Sequence, residues 1–395
     1  MTKCVLGDLM EVTRGASLAG KYYATAGDKI RLTLANFDYA NNCFKPDTSK
    51  DNVFYTQAVD DRFVLKEGDI ITPLTEQTPG LLGTTARIPE SGKYIQSQDV
   101  ALLKPFTEKL DPDYCFYLVS SKAVRNQLGA MSQQTKIRHS SPDKIKSCTV
   151  FLPELEKQRR IGAFLSTIDR KIALNRKRIA TLEAMAKEIY DYWFVQFDFP
   201  DAHGRPYKSS GGAMVYNPDL KREIPKGWEV VPLGELISVC NGKDHKALSV
   251  GRIPVYGSGG IMRRVDQMLY EGESVLIPRK GTLNNIMYVN GPLWCIDTMF
   301  YTKPKVDNVM KYIFMTIKDW DFASMDTGSA VPSMTAGIIN KLLVARPADV
   351  FLEKFENQLR PLFLGMSLSE REIAKLTSLR DFLLPVLMNG QVKAG

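Results

Sequence analysis

The sequence predicts an α+β chain: two mixed, strand-rich domains separated by two long antiparallel coiled-coil helices, with an internal pseudo-two-fold repeat. Three observations carry that expectation. In residues 154–194, apolar side chains fall at Ile161, Leu165, Ile168, Ile172, Ile179, Leu182, Ala186, Ile189 and Trp193. The steps alternate four and three, Asn175 takes the one polar seam position, and no Gly or Pro interrupts residues 163–199. That is the stripe of a coiled-coil helix, and about forty residues at 1.5 Å each make a rod of roughly 60 Å. A shift of about 194 residues lands on Phe355, Leu359, Leu362, Met366, Ile373, Leu376, Leu383 and Leu387 in the same phase, with Ser369 in place of Asn175. The third observation is that the segments before the two stripes also match, Ile145 with Ile339 and Pro153 with Pro347. The order is therefore domain, rod, domain, rod.

Each element follows in turn. The first domain (1–153) opens with GDLMEVTRG, and RFVLKEGDIIT reads as strands around a turn at Glu67-Gly68. DVALLKP is a further apolar strand. DPDYCFYLVSSKAVRNQL reads as one helix begun by Asp-Pro, with the proline in the first turn. A polar, basic loop, a short helix and a strand (SPDKIKSCTVFLP) close the domain. The first rod (154–196) leads into a connector (197–227) rich in Gly, Pro and Ser, which reads as irregular chain travelling back. The second domain (228–348) begins VVPLGELISVCNG, continues as short strands joined by Gly and Asn turns, passes a short helix at KYIFMTIKDW, and ends GSAVPSMTAGIINKLLVARP. The second rod (349–395) contains Pro361, which removes a helix hydrogen bond and either kinks the rod or marks its start. If the rods pack antiparallel, Asn175 and Ser369 meet near the crossing, where a polar pair fixes register.

Composition bounds the function. The 395 residues carry a net charge of +8, a moderate basic excess that favours a polyanionic partner. Six cysteines without a CxxC pair point to reduced thiols in a cytoplasmic protein. The N-terminus lacks a hydrophobic signal core, and no apolar run reaches membrane-spanning length. There is no GxxxxGK(S/T) phosphate loop, no GxGxxG turn and no HExxH, and His139, His203 and His245 lack metal-ligand spacing. No catalytic residue and no metal ligand is assigned. DPDY at 111–114 differs from the (Asp/Asn)-Pro-Pro-Tyr loop of adenine methyltransferases by Asp113, and a helix-initiating turn explains it better. Asp169-Arg170-Lys171 fits the tail of a nuclease motif but has no partner acid.

What remains is a set of polar turns. YGSGG and GGIMRR supply Tyr256, Ser258, Arg263 and Arg264, while PRKGTLNN supplies Arg279, Lys280, Thr282, Asn284 and Asn285. Ser329 lies in GSAVPSM, and the first domain offers Gln77, Thr78, Gln133, Gln134, Lys136 and Arg138. Arg and Lys pair with guanine edges, Asn and Gln with adenine, and all of them hold phosphates.

LPELEKQRRIGAFLSTIDRKI, EIYDYWF, KSSGGAMVYNPDLKREIPKGWEV, IPVYGSGG, PRKGTLNN, GSAVPSMTAGIINKL and LRDFLLPVLMNGQV together resemble the specificity subunit of a type I restriction–modification system. The resemblance covers essentially the whole chain. It implies two target-recognition domains, each reading one half of a split, asymmetric double-stranded DNA site. The rods would act as spacer and dock two methyltransferase subunits, with restriction–translocase subunits joining for cleavage. Adenine methylation would use S-adenosylmethionine bound to the methyltransferase partner, so this chain would bind no cofactor. Pro361 and FLEKFENQLRPLFLGMSL depart from the family pattern in the second rod. Two other classes stay open at this point: a catalytic methyltransferase or nuclease with an unrecognised site, and a two-headed adaptor with no DNA role.

Overall fold

The computed structural model describes residues 1–47, 51–77, 80–132, 138–325 and 333–388. The chain forms two compact units, one of Met1–Asn175 with the residues from Arg371 onward, the other of Arg176–Glu370. The division falls inside both long helices, so each unit owns one end of each helix.

In the first unit, Thr2–Val5 pairs antiparallel with Thr149–Leu152, joining the start of the chain to the strand that leads into the first rod. A four-stranded antiparallel sheet runs in the order Ala86–Arg87, Ile70–Pro73, Val100–Pro105, Met10–Arg14. Alternate residues of its third strand feed different cores. Val100 and Leu102 pack with Ile71, Phe37 and Leu65, while Ala101 and Leu103 pack with Ile70, Val12 and Met10. The stretch expected to be one helix from Asp111 is two, Pro112–Ser120 and Lys122–Met131, separated by an extended Ser121. The break lets a helix buried from Tyr114 to Ser120 give way to one whose buried face is only Val124 and Leu128.

The first long helix, Leu155–Tyr190, is docked on that domain by its own sequence. Asp111 caps the buried helix, accepting from Tyr114 N at 2.9 Å. Gln158 satisfies the backbone around it, accepting from Asp111 N and donating to the carbonyls of Lys109 and Pro153. Gly162 is the contact point: a Cβ there would lie 2.7 Å from Tyr114 N. Further along, Tyr117 donates to Asp169 Oδ2 at 2.5 Å and Arg380 Nη1 donates to Asp169 Oδ1 at 3.0 Å. Burial and the Asp169 charge push the Tyr117 hydroxyl far above its ordinary range. Asp169 is thus a brace rather than part of an acidic site. Ile161 and Leu165 share a core with Leu387 and Met388, so the two helices run in opposite directions in this unit.

In the second unit, Glu229–Pro232 pairs antiparallel with Leu343–Arg346. A six-stranded sheet runs in the order Ile237–Asn241, Met299–Pro304, Tyr270–Pro278, Met287–Cys295, Val250–Gly257, Gly260–Val265. The first long helix ends in a π-turn, Asp191–Val195, which buries the adjacent Trp193 and Phe194 together. Phe194 meets Phe355 of the second long helix edge-on at 4.8 Å, and Gly365 faces Leu182, so the helices run oppositely here too. The connector is more ordered than its composition suggests. Met214–Asn217 and Arg222–Pro225 form a hairpin, and Phe199 stacks between Tyr207 and Trp228.

The second long helix is continuous over Asp349–Met388, 40 residues, so Pro361 neither starts nor ends it. Pro361 is exposed, and its missing N–H leaves the Asn357 carbonyl without its helix donor. Pro361→Ala should therefore stabilise the protein, by up to about 3 kcal/mol. A rise in the urea midpoint at unchanged slope checks this, and an unmoved midpoint would mean the helix already accommodates the proline without loss.

Candidate nucleic-acid interface

The best-built polar surface is in the second unit, where two turns lie against each other. Leu283 and Ile286 are buried and anchor the connection between Tyr270–Pro278 and Met287–Cys295 in the core. Its backbone is held on both sides: Arg279 N donates to Thr298 O at 2.8 Å, and Met334 N donates to Arg279 O at 3.0 Å. Gly281 adopts φ +87, and a Cβ there would lie 2.6 Å from Ser258 Oγ. The positive φ favours glycine there, and the rotatable Ser258 hydroxyl packs into the space a side chain would take. Asn285 Nδ2 donates to Ser258 O at 2.7 Å and completes the lock between the turns.

The side chains divide into braces and exposed donors. Asn284 Nδ2 donates to Asp321 Oδ1 at 2.9 Å, a bond that holds the Asp321 carboxyl below its ordinary range, and the Asn284 side-chain carbonyl accepts from Ala323 N. Arg263 Nη2 donates to the carbonyls of His245 and Leu248, at 2.9 and 2.6 Å. Arg264 Nη1 donates to Arg252 O while the residue stays exposed. Tyr256 and Ser258 are half-buried. Arg279, Lys280 and Thr282 are exposed on the rigid turn, the Arg279 guanidinium lying 6.0 Å from the Phe300 ring. Ser329 lies outside the described residues. The sequence thus located the turn, but it could not show that Asn284, itself exposed, joins Asn285 and Arg263 in holding the loops together.

In the first unit, Thr78, Gln133, Gln134 and Lys136 lie outside the described residues. Gln77 is exposed at the end of the strand Thr75–Glu76, which pairs antiparallel with Arg138–His139. Arg138 Nη1 is 3.7 Å from Oε1 of the buried Glu76. Glu76 was not singled out in the sequence. Its signal is faint, one acid following the apolar run of Ile70 to Thr75.

Asn175 and Ser369 are both buried within their helices, and Ser369 Oγ donates back to Gly365 O at 2.9 Å. Each unit also leaves large apolar side chains exposed on its helix segments. In the first these include Phe164, Leu174, Leu379 and Phe382; in the second, Met185, Tyr192, Leu364 and Leu368. Among the described residues no His, Cys, Asp and Glu group is placed to hold a metal ion, and no helix is long and apolar enough to cross a membrane.

The family model for the type I restriction modification DNA specificity domain matches residues 2–184 and 225–348. The type I restriction enzyme MjaIX specificity subunit of Methanocaldococcus jannaschii is 23% identical over 316 residues, covering 71% of this chain and 69% of that protein. The HindI specificity subunit of Haemophilus influenzae is 20% identical over 404 residues, covering 83% and 87%. The crystal structure of a type I restriction–modification S subunit from M. genitalium superposes with a TM-score of 0.64 at 17% identity, over 98% of this chain and 96% of that one.

Proposed function

Because the chain belongs to the type I restriction–modification DNA specificity family, we propose that each of its units reads one half of a split, asymmetric double-stranded DNA site. The domain pattern 1–153, 154–196, 197–227, 228–348 and 349–395 is the frame of this reading, with target-recognition domains at 1–153 and 228–348. The observation that carries it is the interlocked pair of turns at Ser258 and Gly281, which holds Arg279, Lys280 and Thr282 exposed on a backbone bonded at Arg279 and anchored by the buried Leu283 and Ile286. A rigid donor set is what base readout requires. Arg279, Lys280, Thr282 and Arg264 are assigned to bases or phosphates. Arg263, Asn284 and Asn285 serve as braces that set the turns.

The long helices form a coiled-coil spacer with a pseudo-two-fold repeat, and Asn175 and Ser369 fix its register. Their exposed apolar residues dock one methyltransferase subunit per unit, and restriction–translocase subunits join that complex. The chain itself is non-catalytic and binds no cofactor. S-adenosylmethionine and adenine methylation belong to the methyltransferase partner, and the whole assembly is cytoplasmic.

Arg279→Ala tests the assignment. A lost bidentate base contact should cost about 1–3 kcal/mol and relax specificity at one position of one half-site. A lost phosphate contact should instead weaken binding to all sequences and shrink the salt slope. Binding and methylation that match the unaltered complex would remove Arg279 from the interface.

A further inference from the structure

The first unit contains a buried carboxylate that neither its fold nor the exposed donors around it account for at first sight. Glu76 is 1% exposed. Its Oε2 accepts from Leu81 N at 2.7 Å and from Leu82 N at 2.9 Å, which ties residues 81 and 82 to the end of the strand Thr75–Glu76. Its Oε1 has no hydrogen-bond partner among the described residues and faces Arg138 Nη1 at 3.7 Å. Opposite positions on the paired strands put Glu76 and Arg138 side by side. The segment beyond Leu82 is held independently as well. Arg125 Nη2 donates to Thr84 Oγ1, and Thr85 Oγ1 donates to Phe116 O at 3.0 Å.

A buried carboxylate is costly unless paired, and a loop needing only to be solvated has no use for one. Burial and then Glu76 push the Tyr39 hydroxyl up to about 12, and Glu76 opposes the lowering that burial imposes on Arg125. At 3.7 Å the Arg138 pair is electrostatic rather than hydrogen-bonded, so the guanidinium spends no donor on Glu76, and its side chain is 29% exposed. An arginine steered by a fixed anion beside one guanidinium nitrogen, with no hydrogen bond spent on it, is pre-organised for a guanine edge.

We infer that Glu76 is a positioning residue for half-site recognition by the first unit: it ties Leu81 and Leu82 to the end of the strand that carries Gln77, and it orients Arg138 toward DNA. This rests on the reading that the first unit contacts one half-site.

The test uses the full chain in a reconstituted complex with its methyltransferase partner. Binding is measured on duplexes carrying the methylated motif and on single-base variants of each half. Glu76→Gln keeps an acceptor for the two backbone amides and removes the charge facing Arg138. It should cut discrimination at one or two positions of a single half-site by roughly ten- to a hundredfold, leaving the other half unchanged. Arg138→Gln should relax the same positions, and the double variant should be little worse than either single one. Uniform weakening on every duplex, or unchanged discrimination, would overturn the assignment. If Glu76→Gln fails to fold, Arg138→Lys decides, because it keeps the charge but loses the fork; unaltered discrimination there overturns the inference too. A native complex with no two-part motif would sink the parent reading instead, a result distinguishable from a two-part motif that Glu76→Gln leaves intact.

Discussion

Lys311→Met should destabilise the second unit by about 3–5 kcal/mol. Lys311 is 3% exposed, in the helix Met310–Ile317, and its Nζ lies 2.8 Å from Glu356 Oε1 and 2.5 Å from Glu273 Oε1. Glu356 belongs to the second long helix and Glu273 to the sheet, so one ammonium ties three elements together. Tyr288 donates to Glu273, and burial with that bond pushes its hydroxyl far above the ordinary range. Without the lysine, two carboxylates face each other in low dielectric. Among the described residues only Arg360, at 3.4 Å from Glu356 and mostly exposed, would partly replace the lost charge. The companion variant Lys311→Met with Glu356→Leu removes both ends of the buried pair and should recover most of the loss. Urea unfolding measures both. A single variant as stable as the unaltered protein would show that the three groups merely coexist there.

That network also shows what the sequence could and could not reveal. The four-three stripe was legible because every fourth or third residue of a helix meets the same neighbour, whatever the rest of the fold does. Ile161, Leu165, Ile168 and Ile172 are accordingly buried, as are Phe355 and Leu359. Arg380 was not legible: it fills the seam between Leu376 and Leu383, and besides its neighbour Asp381 it is held by Asp169 and the Asn41 carbonyl, both far away in sequence. Glu356 had a local signal, since Leu352, Leu359 and Phe363 surround it on one face, but its cation comes from Lys311 on another element. Pairing across long separations has no periodicity to betray it. For the same reason the turns were found while their internal roles were not. Gly281 and Asn284 announce a turn by composition; that Asn284 is engaged by Asp321 and Ala323 depends on a segment nearly forty residues later.

If the two units read the halves of a split site as proposed, inserting one heptad into each long helix, at matching places, should lengthen the unread spacer of that site by about three base pairs. Both helices continue from one unit into the other, Leu155–Tyr190 past Asn175 and Asp349–Met388 past Glu370. A heptad keeps each seam in phase, so the buried stripes still match. It adds about 10.5 Å to each helix, close to three base pairs at roughly 3.4 Å each. The recognition loops are untouched, so the two half-site sequences should stay as they were. Three base pairs also rotate the groove by nearly a third of a turn at about 10.5 per turn, and affinity should fall unless the DNA twists or bends to compensate. A heptad in one helix alone should be worse, because Asp169 would lose Arg380 or Leu182 would lose Gly365. The measurement is the methylation motif written by the doubly lengthened variant in a host genome. An active variant that keeps the original spacer would mean that the helices hold the units without measuring the DNA between them.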